Sequence, residues 1–233
     1  MILAAAAAGR SFGATALAVH GLVLGARDAE LGALIDRLDL VLPDGQPVRW
    51  AMNRLHGTGL TERVYGPTLM EGLCAAAARR RLPIYLYGST GATCAKLARA
   101  LQARWPELVV AGVQPDRFRD ATPEEDAADV ARIRGSGARI VFVGRGCPRQ
   151  ERWVAAHLGR VDAAMVAVGA AFDYLAGNLP RPPRWMQDRG LEWLWRLTLE
   201  PRRLLRRYLV TNALFCWLVA WQALRHGRGA ARP

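Results

Sequence analysis

Lysine is nearly missing from this chain. Lys96 is the only one, so arginine carries the +12 net charge at neutral pH against 20 acidic residues. Cysteine is sparse and scattered. Cys74, Cys94, Cys147 and Cys216 form no C-x-x-C pair, which argues against a disulfide framework or a structural zinc site and fits a reducing cytosol. No cluster of His, Asp and Glu has metal-ligand spacing, so no metal and no other cofactor is expected. Helix-turn-helix, zinc-finger and aromatic RNA-binding signatures are lacking, which leaves a nucleic-acid reading with charge alone behind it. There is no complete G-x-G-x-x-G or P-loop, no internal repeat and no low-complexity linker. Met1–Ala8 is apolar but short, without a basic start or a clear cleavage region. It reads as a helix already in progress rather than a signal peptide, with a strand expected upstream of it.

Apolar residues, by contrast, make up 52% of the 233 positions, enough for one well-buried α/β core. Strands are expected over Gly13–Val19, Asp39–Leu42, Pro83–Tyr87, Leu108–Val113, Arg139–Val143 and Ala163–Val168. Helical patterns separate them at Asp28–Leu38, Pro47–Leu55, Pro67–Arg80, Ala92–Arg104, Pro123–Arg134 and Arg149–His157. This alternation predicts an α/β fold: a mostly parallel sheet with helices on both faces. Composition shifts after Asn178, at Pro180, Pro182 and Pro183. The expected organisation is an α/β domain over 1–178 and a C-terminal appendage over 179–233. Because the sheet elements precede Asn178, the α/β part is expected to stand without the appendage.

The appendage is basic and rich in tryptophan. From Arg181 onward there are eleven arginines against three acids. Arg202, Arg203, Arg206 and Arg207 lead into an apolar run, Tyr208–Leu224, that carries Trp217 and Trp221 four apart. Arginines beside an apolar, tryptophan-bearing stretch suit a surface that meets phosphates at a membrane. As a helix the run would be roughly 25 Å long, short of a ~30 Å hydrocarbon core. A helix lying in or dipping into the cytoplasmic leaflet is therefore expected, with a true span as the alternative and a soluble helix packed on its own domain as the least favoured reading. Pro201 is expected to kink or restart the helix that carries these arginines.

In a parallel sheet, ligands collect where strands end and helices begin. Three such ends are polar and rich in glycine: Asp44-Gly45, Gly88-Ser89-Thr90-Gly91 and Gly144-Arg145-Gly146-Cys147-Pro148-Arg149-Gln150-Glu151. Taken singly, the first is an ordinary turn and the second a weak phosphate cradle, while the third reads equally as a loop whose glycines admit a ligand to the backbone or as a plain helix start with Glu151 a dipole acid and Gln150 solvated.

Taken together in chain order, Asp39-Leu40-Val41-Leu42-Pro43-Asp44-Gly45, Glu62-Arg63-Val64-Tyr65-Gly66, Tyr85-Leu86-Tyr87-Gly88, Val143-Gly144-Arg145-Gly146-Cys147-Pro148-Arg149-Gln150-Glu151, Val168-Gly169-Ala170-Ala171-Phe172-Asp173-Tyr174-Leu175-Ala176-Gly177 and Gly190-Leu191-Glu192-Trp193-Leu194-Trp195-Arg196 resemble the WecB/TagA/CpsF glycosyltransferases, glycosyltransferase family 26. The resemblance runs from about Ser11 to Tyr208. It implies a Rossmann-like domain whose appendage closes the site at the membrane. It also implies an inverting, apparently metal-independent transfer of a sugar, an N-acetylhexosamine or related hexose, from a UDP-sugar to a polyprenyl-diphosphate-linked acceptor in surface polysaccharide synthesis. By the resemblance, Asp44 is the general base, Arg196, Arg203 and Arg206 are the appendage arginines that neutralise the departing diphosphate, and Thr15, Arg63, Gln150 and Asp173 line the sugar-nucleotide site. The implied location is the cytoplasmic face of the plasma membrane, peripheral or monotopic, with a homo-oligomer allowed and nucleic acid excluded as a partner. The family often carries Thr-x-Asn on the first strand, whereas Thr15 here is followed by Ala16 and Leu17, with His20 as a candidate substitute. A non-catalytic nucleotide-sugar-binding subunit of a polysaccharide assembly complex is the alternative. Glu192 and Glu200 are expected to pair with neighbouring arginines.

Overall fold

The computed structural model describes residues 1–229; the side chains of Asp188, Arg203 and residues 226–229 lie outside the described residues. The chain runs through α1 (Ile2–Ala8), β1 (Phe12–Leu17), α2 (Val19–Arg27), α3 (Ala29–Asp36), β2 (Leu40–Pro43), α4 (Gln46–His56), α5 (Gly66–Arg80), β3 (Ile84–Gly88) and α6 (Gly91–Arg104). It continues through β4 (Val110–Gln114), α7 (Pro123–Gly135), β5 (Ile140–Gly144), α8 (Arg149–His157), β6 (Ala164–Ala167), α9 (Ala171–Leu175), α10 (Arg184–Asp188), α11 (Glu192–Leu199) and α12 (Pro201–Gly229). The strands form one parallel sheet in the order β2-β1-β6-β5-β3-β4.

Both faces of the sheet are buried, which is why its strands read as nearly continuous apolar runs. Ile84 and Leu86 of β3, Phe142 of β5 and Val166 of β6 enter one cluster with Met70 and Leu97 from α5 and α6. Their sequence neighbours Tyr85, Tyr87, Val141, Val143 and Met165 enter the other, with Ile133 of α7 and Trp153 and Val154 of α8. The alternation follows the two-residue side-chain period of a strand. Helix α7 starts in a capping box, with Thr122 accepting from the Glu125 amide and the Glu125 carboxylate accepting from the Thr122 amide. From β3 the chain moves to β4 on one side, and from β5 to β6 on the other, so the strand order reverses between β3 and β5. Gly88 and Gly144 end these two strands, and a Cβ on Gly88 (φ +129°) would lie 2.5 Å from the Gly144 carbonyl carbon. Only glycine permits that backbone approach at the switch point.

The first strand ends sooner than expected, at Leu17, and a helix begins at Val19. Val19, Leu22 and Val23 follow helical spacing, and Gly32 lets α3 come close to α2: a Cβ on Gly32 would lie 2.8 Å from the Gly25 carbonyl oxygen. Pro201 does restart the helix, ending α11 at Leu199 and opening α12.

By contacts the chain divides into two units that do not follow chain order. The first holds Met1–Ala16, Ala33–Leu42 and Tyr65–Pro180, and with them the two core clusters. The second holds Leu17–Gly32, Pro43–Val64 and the chain from Arg181 onward. Within it α12 packs against α2, α4 and α11, with Leu204 and Thr211 buried. The opposite stripe of α12 exposes Leu205, Leu209, Trp217, Trp221 and Leu224, and the two tryptophan rings stack at 6.1 Å. Among the described residues no helix is long and apolar enough to cross a membrane, which removes the spanning alternative for Tyr208–Leu224. Arg202, Arg206, Arg207 and Arg225 flank the run, and Thr211, Asn212 and Gln222 interrupt it.

Candidate active site

In the first unit, the carboxyl ends of β1, β5 and β6 gather one hydrogen-bonded cluster. Thr15, beside Ala167 of β6, is fully buried. Its hydroxyl donates to Glu151 Oε1 at 3.0 Å. The Gln150 side-chain amide donates to the same oxygen at 2.8 Å. Gln150 and Glu151 occupy the first turn of α8 and are 4% and 1% exposed. Gln150 Oε1 and Glu151 Oε2 are buried and have no hydrogen-bond partner. Buried polar atoms are normally satisfied, so two orphan acceptors side by side mark a place for a ligand. Thr15 and Gln150 are expected here by the resemblance; Glu151 is not among the residues it implies.

Asp173, in α9, stands outside this cluster. It accepts from Asn178 Nδ2 at 3.2 Å, and Asn178 also donates to Thr93 Oγ1 at 3.0 Å. At the end of β5, Arg145 and Arg149 converge on Asp116, whose side chain is fully buried, with contacts of 3.1 and 2.9 Å. These ion pairs fix the glycine-rich loop from Gly144 to Pro148. The acid comes from the far side of the 29-residue excursion through α7, which left no local signal in the loop itself.

The second unit holds the strand-end aspartate. The Asp44 amide donates to the Leu17 carbonyl at 3.1 Å, and Asp44 pairs in parallel with Val64 through an isolated bridge. The returning loop is held by Asn53, whose side chain brackets both backbone groups of Leu60 at 2.9 and 2.8 Å. Gly45, at φ +88°, turns the chain from β2 into α4. Burial pushes the Asp44 carboxyl up to about 7; the Glu192 carboxylate adds to the rise, and the Arg63 and Arg196 guanidinium groups oppose it. Arg63 Nη2 meets Glu192 Oε1 at 2.5 Å. Burial raises the Glu192 pKa and Arg63 holds it back. Arg196, one turn further along α11, lies 3.5 Å from Glu200. Both acids are thus arginine partners as expected, and Glu192 in addition acts on Asp44.

His20 lies in the first turn of α2, with Nδ1 buried and without a hydrogen-bond partner. Burial, helped by the Arg207 charge, pushes it down to about 4, so it is neutral at physiological pH. Of the two remaining appendage arginines, Arg206 is exposed on α12, and the Arg203 side chain lies outside the described residues. Because α11 and α12 are separate helices, Arg196 does not share a continuous helical face with Arg203 and Arg206. Among the described residues no group of three or more His, Cys, Asp or Glu side chains is placed to hold a metal ion.

Comparison with known families matches a family model over residues 1–229, which includes every segment described above. A six-stranded parallel sheet, a strand-end aspartate among arginines and a buried polar cluster at the sheet's carboxyl ends accompany it. The chain belongs to the glycosyl transferase WecG/TagA/CpsF family.

Proposed function

We propose that this glycosyltransferase moves a sugar, an N-acetylhexosamine or related hexose, from a UDP-sugar to a polyprenyl-diphosphate-linked acceptor with inversion, at the cytoplasmic face of the membrane, in surface polysaccharide synthesis. The observation that carries this reading is the Asp44 carboxyl, pushed up to about 7 among Arg63, Arg196 and Glu192. A general base works best when its pKa lies near the working pH. In the proposed reaction Asp44 removes the proton from the acceptor hydroxyl as that oxygen attacks the anomeric carbon. The bond from the anomeric carbon to the phosphate oxygen breaks, and the electron pair leaves on UDP. Arg196, with Arg203 and Arg206, receives the charge that develops on the diphosphate. Thr15, Arg63, Gln150 and Asp173 bind the donor, and Arg63 also tunes Asp44 through its charge.

The apolar stripe of α12 supports docking on a membrane surface. Its exposed Leu205, Leu209, Trp217, Trp221 and Leu224 would enter the headgroup region, with Arg202 and Arg225 at anionic headgroups. The direct test incubates the purified protein with a panel of UDP-sugars and a short polyprenyl-diphosphate-sugar while UDP release is followed. Release that depends on both substrates is expected. Tight UDP-sugar binding with no release on any acceptor would favour the nucleotide-sugar-binding subunit instead.

A further inference from the structure

The cluster at the ends of β1 and β5 has a fixed polarity. A threonine hydroxyl has one proton to donate, and Thr15 gives it to Glu151 Oε1. A carboxylate oxygen accepts and does not donate, so the Gln150 side chain must turn its NH2 group toward Glu151. That orientation sends Gln150 Oε1 the other way, where it is buried without a partner, as is Glu151 Oε2. A space the size of one carbon lies beside the amide. A Cβ built on Gly169 (φ +55°) would lie 3.5 Å from Gln150 Oε1 and 3.7 Å from Nε2, and would meet no other residue within 4 Å apart from its own chain neighbours.

We infer that Glu151 is a positioning residue: it holds Thr15 and Gln150 so that they present lone pairs, and the cluster thereby selects the O–H and N–H edge of a ligand rather than a phosphate. Three acceptors remain for a ligand group seated here: Thr15 Oγ1, Gln150 Oε1 and Glu151 Oε2. Hydroxyls and amide N–H groups complement that set, whereas phosphate oxygens would meet acceptors and a buried carboxylate. The inference rests on the reading that the chain binds a sugar nucleotide, in which such donors occur both on the nucleoside and on the sugar to be transferred.

The test compares Glu151→Ala and Glu151→Gln with the unaltered protein, using whichever of UDP-N-acetylglucosamine, UDP-glucose, GDP-mannose or dTDP-glucose the latter binds most tightly. Glu151→Ala lets the Thr15 hydroxyl and the Gln150 amide rotate, so the Kd and KM for the sugar nucleotide should rise roughly tenfold or more, with kcat changing less. Glu151→Gln keeps a carbonyl that can accept both hydrogen bonds and should recover part of that loss. A purely structural role would lower the melting temperature of both variants without this ordered change in Kd. The matching nucleoside monophosphate distinguishes the ligand groups: a loss seen there too places the nucleoside on the cluster, and a loss confined to the full donor places the sugar there. Without any ligand, the Gln150 side-chain amide protons should exchange slowly and shift downfield in 15N spectra, and lose both features in Glu151→Ala. A folded Glu151→Ala variant with Kd and KM within twofold of the unaltered protein would overturn the inference. So would Gln150 amide signals that do not respond to the substitution, even if no sugar nucleotide in the panel binds.

Discussion

Glu151 in the first unit and Asp44 in the second are both acids in the sheet's carboxyl-end loops or the turn that follows a strand, yet their surroundings differ in kind. Glu151 is engaged by neutral donors, the Thr15 hydroxyl and the Gln150 amide. Asp44 is surrounded by charge, with Glu192 raising its proton affinity and Arg63 and Arg196 lowering it. Neutral donors have direction, so they fix where neighbouring lone pairs point. Charges act over several ångströms with little directionality, so they set when a proton comes off. The first arrangement suits recognition and the second suits proton transfer.

Removing residues 181–233 should have the largest effect, because it takes Glu192 and Arg196 away from Asp44 together with α12. Transfer should be abolished. The truncated chain should also be less soluble and exchange amides faster over residues 17–64, because α2 and α4 lose the helix they pack on. A truncated protein with full turnover would sever Asp44 from its charged partners as an explanation. Next in size, Asp44→Asn should fold and bind donor normally while transfer falls at least ~100-fold, since general-base catalysis contributes about that much. Retained turnover would remove Asp44 from the mechanism, and an equal fall in kcat for Glu151→Ala would erase the distinction between the two acids.

Smaller effects sharpen the electrostatic side. Asp44 must be ionised to act, so kcat/KM should rise with pH through about 7. Glu192→Gln removes a charge that raises the Asp44 pKa and should move that limb to lower pH, whereas Arg196→Ala should move it higher and also slow the reaction. A limb that stays in place in both variants would assign the ionisation to another group. The last effect is on stability. The folded pKa of Asp44 lies above its ordinary 3.8, so the fold favours the neutral form. That contribution is whole below pH 3.8 and is lost as pH rises through about 7. Asp44→Asn should therefore become more stable relative to the unaltered protein between pH 5 and pH 8, by roughly 2–3 kcal/mol. Denaturant midpoints at the two pH values would check it, and a pH-independent difference would count against the burial of an ionised Asp44.

Much of the fold was legible in the sequence because the sheet is buried on both faces. Apolar strands such as Ile140–Val143, closed by glycine and followed by helical spacing, announce a parallel α/β sheet. Helix α2 was not legible, because β-branched Val19 and the glycines at 21 and 25 mimic a strand end followed by a turn. The capping residues of α7 and the restart at Pro201 were readable because caps and proline act locally, through backbone groups within a turn of themselves.

Local spacing thus determined the element types, the glycine-bounded strand ends and the strand-end position of Asp44. The tertiary structure decided which acids matter and how. Glu151 meets Thr15 across 136 residues of sequence, and Arg63 meets Glu192 across 129. Neither separation leaves a periodic trace, and the consequences depend on burial: a carboxylate sheltered from water responds to each nearby dipole and charge, while the same residue in solvent would be screened from them.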